Sequence, residues 1–393
     1  MKILYITLEN LSLHKGSVVH IKEIVAGLQK LGHHVGLVGS SQNKLEEVDS
    51  FYNLWHSPFF LLEFFKLKKQ PYLISSIFLF FYLFKILPRY DIIYARDYHT
   101  VIIALIPRII FKKKLVFEIN GLANEEQKLK IDSFFNRTLC SLIRRAERMA
   151  TRYSDRIVSV TPQIASYLMR HFYCPAGKVE VIHNGVNTKI FHPIGNEASL
   201  LHWKEKLGIS QEEMVVTFIG NLAPWQGVEY LIQVAPSIIR EISNVKFLII
   251  GDGMLRGDLE EEVNRLRLSE HFIFTGMIDY QEVPTYINIA DICVTLKKRL
   301  KSGYSPIKLY EYMACGKPVI ASRVEGLEFI EAEGVGRLTE PGDVKNLEET
   351  LVDLLTDSQK RVDMGQKGLK IAQERFSWDS RASKIEKILK ELA

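Results

Sequence analysis

Lys308 and Glu311 lie three residues apart in the segment Gly303 to Gly316, which reads Gly-Tyr-Ser-Pro-Ile-Lys-Leu-Tyr-Glu-Tyr-Met-Ala-Cys-Gly. If the segment is helical, the two side chains share a face. That face offers an ammonium that can meet a phosphate and a carboxylate that can accept hydrogen bonds from sugar hydroxyls. Ser305 suits the helix N-cap and Pro306 the first helical position, where a missing N–H costs nothing. Acids are expected in a first helical turn, yet Lys308 stands at its third position. A cation there is unfavourable unless an anion is held before the helix, where backbone N–H groups bind phosphate. The pattern points to a nucleotide-sugar site. The same residues also fit a solvated surface lysine beside a capping glutamate, and the segment alone leaves that open.

Other loops carry related chemistry. Gly16 precedes a helix start, Ser17-Val18-Val19-His20, and lets a ligand approach backbone N–H groups. The run Gly220-Asn221-Leu222-Ala223-Pro224-Trp225-Gln226-Gly227 follows an apolar strand and offers only the neutral donors Asn221 and Gln226. A third loop, Gly251-Asp252-Gly253-Met254-Leu255-Arg256-Gly257, misses the dinucleotide fingerprint by one residue. No acid stands where a ribose partner would follow, which argues against NAD. Toward the chain start, Arg96-Asp97-Tyr98-His99 and Glu118-Ile119-Asn120-Gly121 close two further apolar runs.

These loops need elements to position them. Strand-like runs at Ile3–Thr7, His34–Val38, Asp91–Tyr94, Lys114–Ile119, Arg156–Val160 and Val179–Ile182 are separated by helix-length stretches. Between the first two, Val18, Ile21, Ile24, Val25, Leu28 and Leu31 recur at helical steps up to Gly32. The alternation restarts with Val215–Ile219, Phe247–Ile250, Phe272–Phe274, Ile292–Thr295 and Val319–Ala321. Such alternation predicts parallel sheets covered by helices on both faces. At 393 residues two domains are expected. We place one Rossmann-like domain at 1–190, a linker at 191–212, a second Rossmann-like domain at 213–375, and a final helix at 376–393 that could return to the first. Two doubly wound domains facing across a cleft bind ligands at the carboxyl ends of their strands.

The composition is that of an ordinary globular protein, 47% hydrophobic and 25% charged, which argues against disorder. Residues 1–190 carry 26 Lys and Arg against 15 Asp and Glu, an excess of +11, so a net charge of +5 leaves −6 for the rest. A basic first half suggests an anionic partner such as a lipid headgroup or a diphosphate carrier. No nucleic-acid-binding module accompanies that charge. The apolar block Tyr72–Leu87 is shorter than a membrane span and reads as a buried helix. Lys66, Lys68, Lys69, Lys85 and Arg89 flank it, which keeps an interfacial segment open. Cys140, Cys174, Cys293 and Cys315 lack metal or redox spacing, so packing thiols in a reducing cytoplasm are expected. The opening Met1-Lys2-Ile3-Leu4-Tyr5-Ile6-Thr7 does not resemble a signal peptide.

Taken together, the chain resembles the retaining GT-B glycosyltransferases of glycosyltransferase family 4. The resemblance runs through Gly16…His20, Val181-Ile182-His183-Asn184-Gly185-Val186-Asn187, Gly220…Gln226-Gly227, Gly251-Asp252-Gly253 and Phe272-Ile273-Phe274-Thr275-Gly276. It is strongest from Lys308 through Glu311 to Ala321. It implies a metal-independent transferase without a cofactor, moving a hexose from a nucleotide-diphosphate sugar with retention. The donor would sit on the second domain, and a glycan or polyprenyl-linked acceptor on the first. Cell-surface polysaccharide, lipopolysaccharide or glycolipid assembly would be the setting, in the cytoplasm or on the inner face of the cell membrane at an anionic surface. By position, Glu311 matches the ribose-binding carboxylate and Met277-Ile278 the base-contacting turn. Tyr304 and Ser305 match backbone donors to the diphosphate, with Gly16, Gly220, Asn221, Gln226 and Gly253 around the donor. His20, Glu118 and Asn120 fall on the acceptor side. Three departures stand out: Gly303 replaces a family glutamate, Asn221 and Gln226 replace the phosphate-loop cations, and Arg96 replaces a histidine, with His99 close by. Lys308, Arg96 and His99 are therefore the expected catalytic groups. A non-catalytic relative and a sugar-nucleotide epimerase on the same fold are the alternatives.

Overall fold

The computed structural model describes residues 1–13, 15–42, 45, 48–54, 72–128, 134–299 and 302–393. They form two compact units, Met1–Asn184 with Trp378–Ala393, and Gly185–Ser377. The sheet of the first unit is built from β1 (Lys2–Asn10), β2 (His34–Ser40), β3 (Ser50–Asn53), β4 (Ile92–Arg96), β5 (Lys114–Ile119), β6 (Arg156–Ser159) and β7 (Val179–Val181). Their spatial order is β3-β2-β1-β4-β5-β6-β7, with every pair parallel. The sheet of the second unit uses β8 (Met214–Ile219), β9 (Val245–Ile250), β10 (Phe272–Gly276), β11 (Ile292–Thr295), β12 (Val319–Ser322) and β13 (Gly336–Thr339). Here the order is β10-β9-β8-β11-β12-β13, again all parallel.

Both sheets are doubly wound for a reason visible in their strands. Ile3, Leu4, Tyr5 and Ile6 of β1 are all buried, as are Phe247, Leu248, Ile249 and Ile250 of β9. Strands apolar on both faces need helices above and below, which parallel crossovers supply. Each sheet reverses its winding direction between two central strands, β1 and β4 in one, β8 and β11 in the other. At these switch points the loops leaving neighbouring strands diverge and open a crevice for ligands.

The predicted strands are all present, and two more, β3 and β13, close the sheet edges. Ser50-Phe51-Tyr52-Asn53 and Gly336-Arg337-Leu338-Thr339 are short and mixed in polarity, so no alternation marks them. The apolar block forms the helix Tyr72–Ile86, continued by a 3-10 turn at Leu87–Arg89. Leu79, Leu83 and Ile86 are buried while Ile77 and Phe81 are exposed. Lys66, Lys68 and Lys69 fall outside the described residues. Among the described residues, no helix is long and apolar enough to cross a membrane. All four cysteines are buried and free of disulfides, as packing thiols should be. Within the first unit, the last helix, Trp378–Leu392, packs on the helix Gly16–Lys30. A Cβ on Gly27 would lie 2.5 Å from that of Ala382, so the two backbones approach closely. His33 Nε2 meets Glu386 Oε1 at 2.9 Å and Lys30 pairs with Asp379 across the same junction.

Candidate active site

At the switch point of the second unit, three chain segments meet beyond the strand ends. The first is the loop after β8, which turns at Gly220 with φ of 142° and ends in a 3-10 turn, Pro224–Gln226. A Cβ on the neighbouring Gly251 would lie 2.1 Å from the Gly220 carbonyl oxygen, so only glycine allows the loops after β8 and β9 to touch. The contact is sealed by Gly220 N–H donating to Ile250 O at 2.8 Å and Leu222 N–H to Asp252 O at 2.9 Å. The second segment follows β11 and carries Lys297. The third is the helix Ile307–Ala314.

That helix begins later than its sequence suggests. Pro306 is the N-cap, in extended conformation, and Ser305 does not cap it. Ser305 Oγ instead shares a hydrogen bond of 3.0 Å with Tyr310 Oη. Lys308 is thus the second helical residue, closer to the free N–H groups of the first turn. The Tyr304 N–H, expected to meet a phosphate, donates to Glu325 O at 3.0 Å. The helix is anchored from below, where Tyr312 Oη accepts a 2.9 Å hydrogen bond from the Ile219 N–H at the end of β8. Glu311 is buried, and Tyr280 Oη donates to its Oε1 at 3.2 Å.

Lys308 Nζ donates to Gln226 Oε1 at 3.1 Å and lies 3.8 Å from the centre of the Phe218 ring. Lys297 Nζ donates to the same Gln226 oxygen and lies 5.1 Å from the centre of the Tyr304 ring. Lys297 is only 4% exposed. Burial pushes its ammonium down to about 7. Burial also drives Lys308 well below the ordinary lysine value, Lys297 adds to this, and Glu311 opposes it. Among the described residues, neither lysine forms an ion pair with a carboxylate. Two ammonium groups therefore converge on one neutral amide oxygen, which cannot balance either. The sequence reading missed Lys297. It opens a run, Lys297-Lys298-Arg299, that looks like a solvated charge cluster; its one available signal is its place directly after a buried strand.

The remaining residues expected around a donor are more scattered. Asn221 is exposed, and Gly253 packs against the Asn221 side-chain oxygen and the Leu222 backbone. Met277 is exposed, while Ile278 packs partly into the core. Arg256 is engaged by Asp252 at 3.3 Å and Glu260 at 2.8 Å, so its charge is already balanced. Gly16 opens its helix with no acid in the first turn.

The first unit gathers its polar residues around Glu118, on β5 and fully buried. Arg96 is its register partner on β4, with Nη1 donating to Oε1 at 3.2 Å. Asn120 Nδ2 donates to the same oxygen at 2.7 Å, and Tyr5 Oη to Oε2 at 3.4 Å. His20 places Nε2 2.9 Å from Glu118 Oε1 and Nδ1 2.7 Å from Asn184 Oδ1. Its ring stands edge-on to Trp378 at 5.2 Å. Burial alone would raise Glu118, but His20 and then Arg96 and Asn120 outweigh it and hold the carboxylate well below its usual range. Arg96, expected to reach a leaving group, is thus buried and committed to this carboxylate. Asp97 takes a left-handed φ of 68° where β4 passes into the helix Asp97–Ile110. His99 lies in the first turn of that helix, exposed and lying over Tyr98 at 3.8 Å.

Comparison with known proteins agrees with this architecture. A family model described as Glycosyltransferase Family 4 matches residues 14–190, and one described as Glycosyl transferases group 1 matches 201–371. An uncharacterized glycosyltransferase of Methanocaldococcus jannaschii is 26% identical over 313 residues, 77% of this chain and 75% of its own length. A GDP-mannose-dependent monoacylated alpha-(1-6)-phosphatidylinositol monomannoside mannosyltransferase of Corynebacterium glutamicum is 28% identical, over 62% of this chain and 65% of its own. Among solved structures, HepE of Anabaena in complex with UDP and glucose superposes with a TM-score of 0.78 at 18% identity, covering 100% of both chains. Sucrose-phosphate synthase from Thermosynechococcus elongatus gives a TM-score of 0.78 at 22% identity, covering 100% of this chain and 98% of its own. With one model on each Rossmann-like unit and the two together running from residue 14 to 371, the chain belongs to glycosyltransferase family 4, the group 1 glycosyltransferases of the GT-B fold.

Proposed function

We propose that this glycosyltransferase moves a hexose from a nucleotide-diphosphate sugar to a polyprenyl-linked or glycolipid precursor of a cell-surface polysaccharide, with retention and without a metal. The observation that carries the reading is the pairing of Lys308 and Glu311 on one buried helix at the switch point of the second unit. Lys308 would stabilise the charge that develops on the departing nucleotide diphosphate, because a preorganised ammonium in a water-poor site acts strongly there. Glu311, kept in place by Tyr280, would accept hydrogen bonds from the donor ribose. The buried lysines supply positive charge where other transferases use a divalent cation, which supports a metal-independent reaction. In the first unit, His20 would present its ring to the acceptor side, oriented by Asn184 and Glu118. A relative that uses GDP-mannose on a phosphatidylinositol glycolipid supports the acceptor class.

Contact with an anionic membrane fits the same reading. Ile106, Ile109 and Ile110 are exposed at helical spacing on Asp97–Ile110, and the exposed Lys112 and Lys114 follow. Apolar side chains beside cations suit a lipid surface. The test is incubation with radiolabelled UDP-, GDP- and ADP-hexoses and polyprenyl-diphosphate-linked acceptors, with and without EDTA. The expected result is acceptor-dependent labelling unaffected by EDTA, with product anomeric couplings matching the donor. Label released equally without any acceptor would overturn it.

A further inference from the structure

We propose that Lys297 is a second ligand for the donor's diphosphate, forming with Lys308 a two-ammonium seat that takes over from the cations absent at positions 221 and 226. Gln226 acts in this seat as a neutral placeholder that yields to the anion. The inference rests on the nucleotide-sugar reading above.

Both amines donate to Gln226 Oε1, and both sit over aromatic rings, Lys308 on Phe218 and Lys297 on Tyr304. An ammonium has three donors and no acceptor, so each lysine retains donors that one amide oxygen does not use. Neighbouring cations have found acids: Lys298 meets Glu229 at 2.8 Å, Arg299 meets Glu340 at 3.3 Å, and Arg256 meets Asp252 and Glu260. The two lysines that converge on the switch point are the ones left without a carboxylate partner among the described residues. A diphosphate brings two negative charges and many acceptors to that place, which suits two adjacent ammonium groups. The lysines arrive from different segments, one after β11 and one on the helix Ile307–Ala314. They can therefore grip separate phosphate oxygens.

Proton uptake follows. Burial holds Lys297 at about 7, so near neutrality a share of unliganded molecules carries the neutral amine. The titratable groups beside it are Lys308, whose own charge Lys297 disfavours, and the Tyr304 phenol, whose Oη donates to Lys298 O. An arriving diphosphate favours the ammonium, so binding draws a proton from solution.

Titration calorimetry of the full chain with UDP, GDP and ADP tests this, run at several pH values in buffers of different ionisation enthalpy. Wild type should take up protons on binding, and its affinity should fall as pH rises above 7, by at most tenfold per unit for each lysine. K297M should bind at least tenfold more weakly and lose Lys297's share of the uptake. K297R should keep the affinity, confirming a folded site, but also lose that share. K297M binding within twofold of wild type, with the same proton uptake, would overturn the inference while leaving the donor reading intact. If none of the three nucleotides binds wild type, the donor reading fails and the inference falls with it.

Discussion

The two units each bury a cluster of charge at the ends of their central strands, and the clusters are balanced in opposite ways. Around Glu118, one carboxylate is met by Arg96, His20, Asn120 and Tyr5, so the set is complete as it stands. Around Gln226, two lysines are met by no acid among the described residues. Buried charge is tolerated when paired and costly when not. The first cluster thus reads as a fixture that holds the strand ends together. The second, on the proposal above, reads as a seat for an anion.

Mutations should separate these roles, beginning with the strongest effect. E118A leaves Arg96 buried without its carboxylate, so urea unfolding should show a loss of about 3–5 kcal/mol. A loss below about 1 kcal/mol would mean that the cluster is not the fixture it looks like. K308A should lower kcat/KM by about a hundredfold, ~2.7 kcal/mol, with little loss of stability. Activity within threefold of wild type would remove Lys308 from the mechanism. Because a buried lysine held at about 7 is disfavoured by folding, the unfolded chain binds more protons between there and about 10.4. Lys297 should therefore make the unliganded protein more stable as pH rises through that window, by at most ~1.4 kcal/mol per unit, the gain being lost as pH falls back to about 7. K297M should flatten that slope in pH-dependent denaturation. Glu118 contributes no slope there, since its share is lost only in acid. Last, R256A removes a half-buried, already paired cation; thermal melts and donor KM should both stay close to wild type.

Much of this was legible in the residue order, and the gaps have physical causes. Buried parallel strands announce themselves as apolar runs, so the central strands were readable, although β1 runs on to Asn10 and β4 to Arg96, past the apolar residues that mark them. The edge strands β3 and β13 were not, because a strand paired on one side does not require an apolar stretch. Lys308 and Glu311 could be found because helical spacing is a local property. The start of their helix was misjudged because the Ser305 hydroxyl has a competing partner, Tyr310, five residues on. Lys297 was invisible for a deeper reason. Whether a lysine in a basic run is solvated or enclosed depends on the Tyr304 ring and the Gln226 side chain, which reach it only after folding.

The return of the helix Trp378–Leu392 to the first unit bears on how the protein is made. The second unit is one unbroken stretch of chain, Gly185–Ser377, whereas the first is discontinuous and needs Trp378–Ala393 to finish. During synthesis the later-encoded unit can close first, while the earlier one waits with the Gly27 face of its first helix uncovered. Trp378 also abuts His20. His20 thus acquires its full surroundings only when the ribosome has delivered the helix Trp378–Leu392, so a nascent chain cut short at residue 377 should expose a sticky, unfinished surface to chaperones.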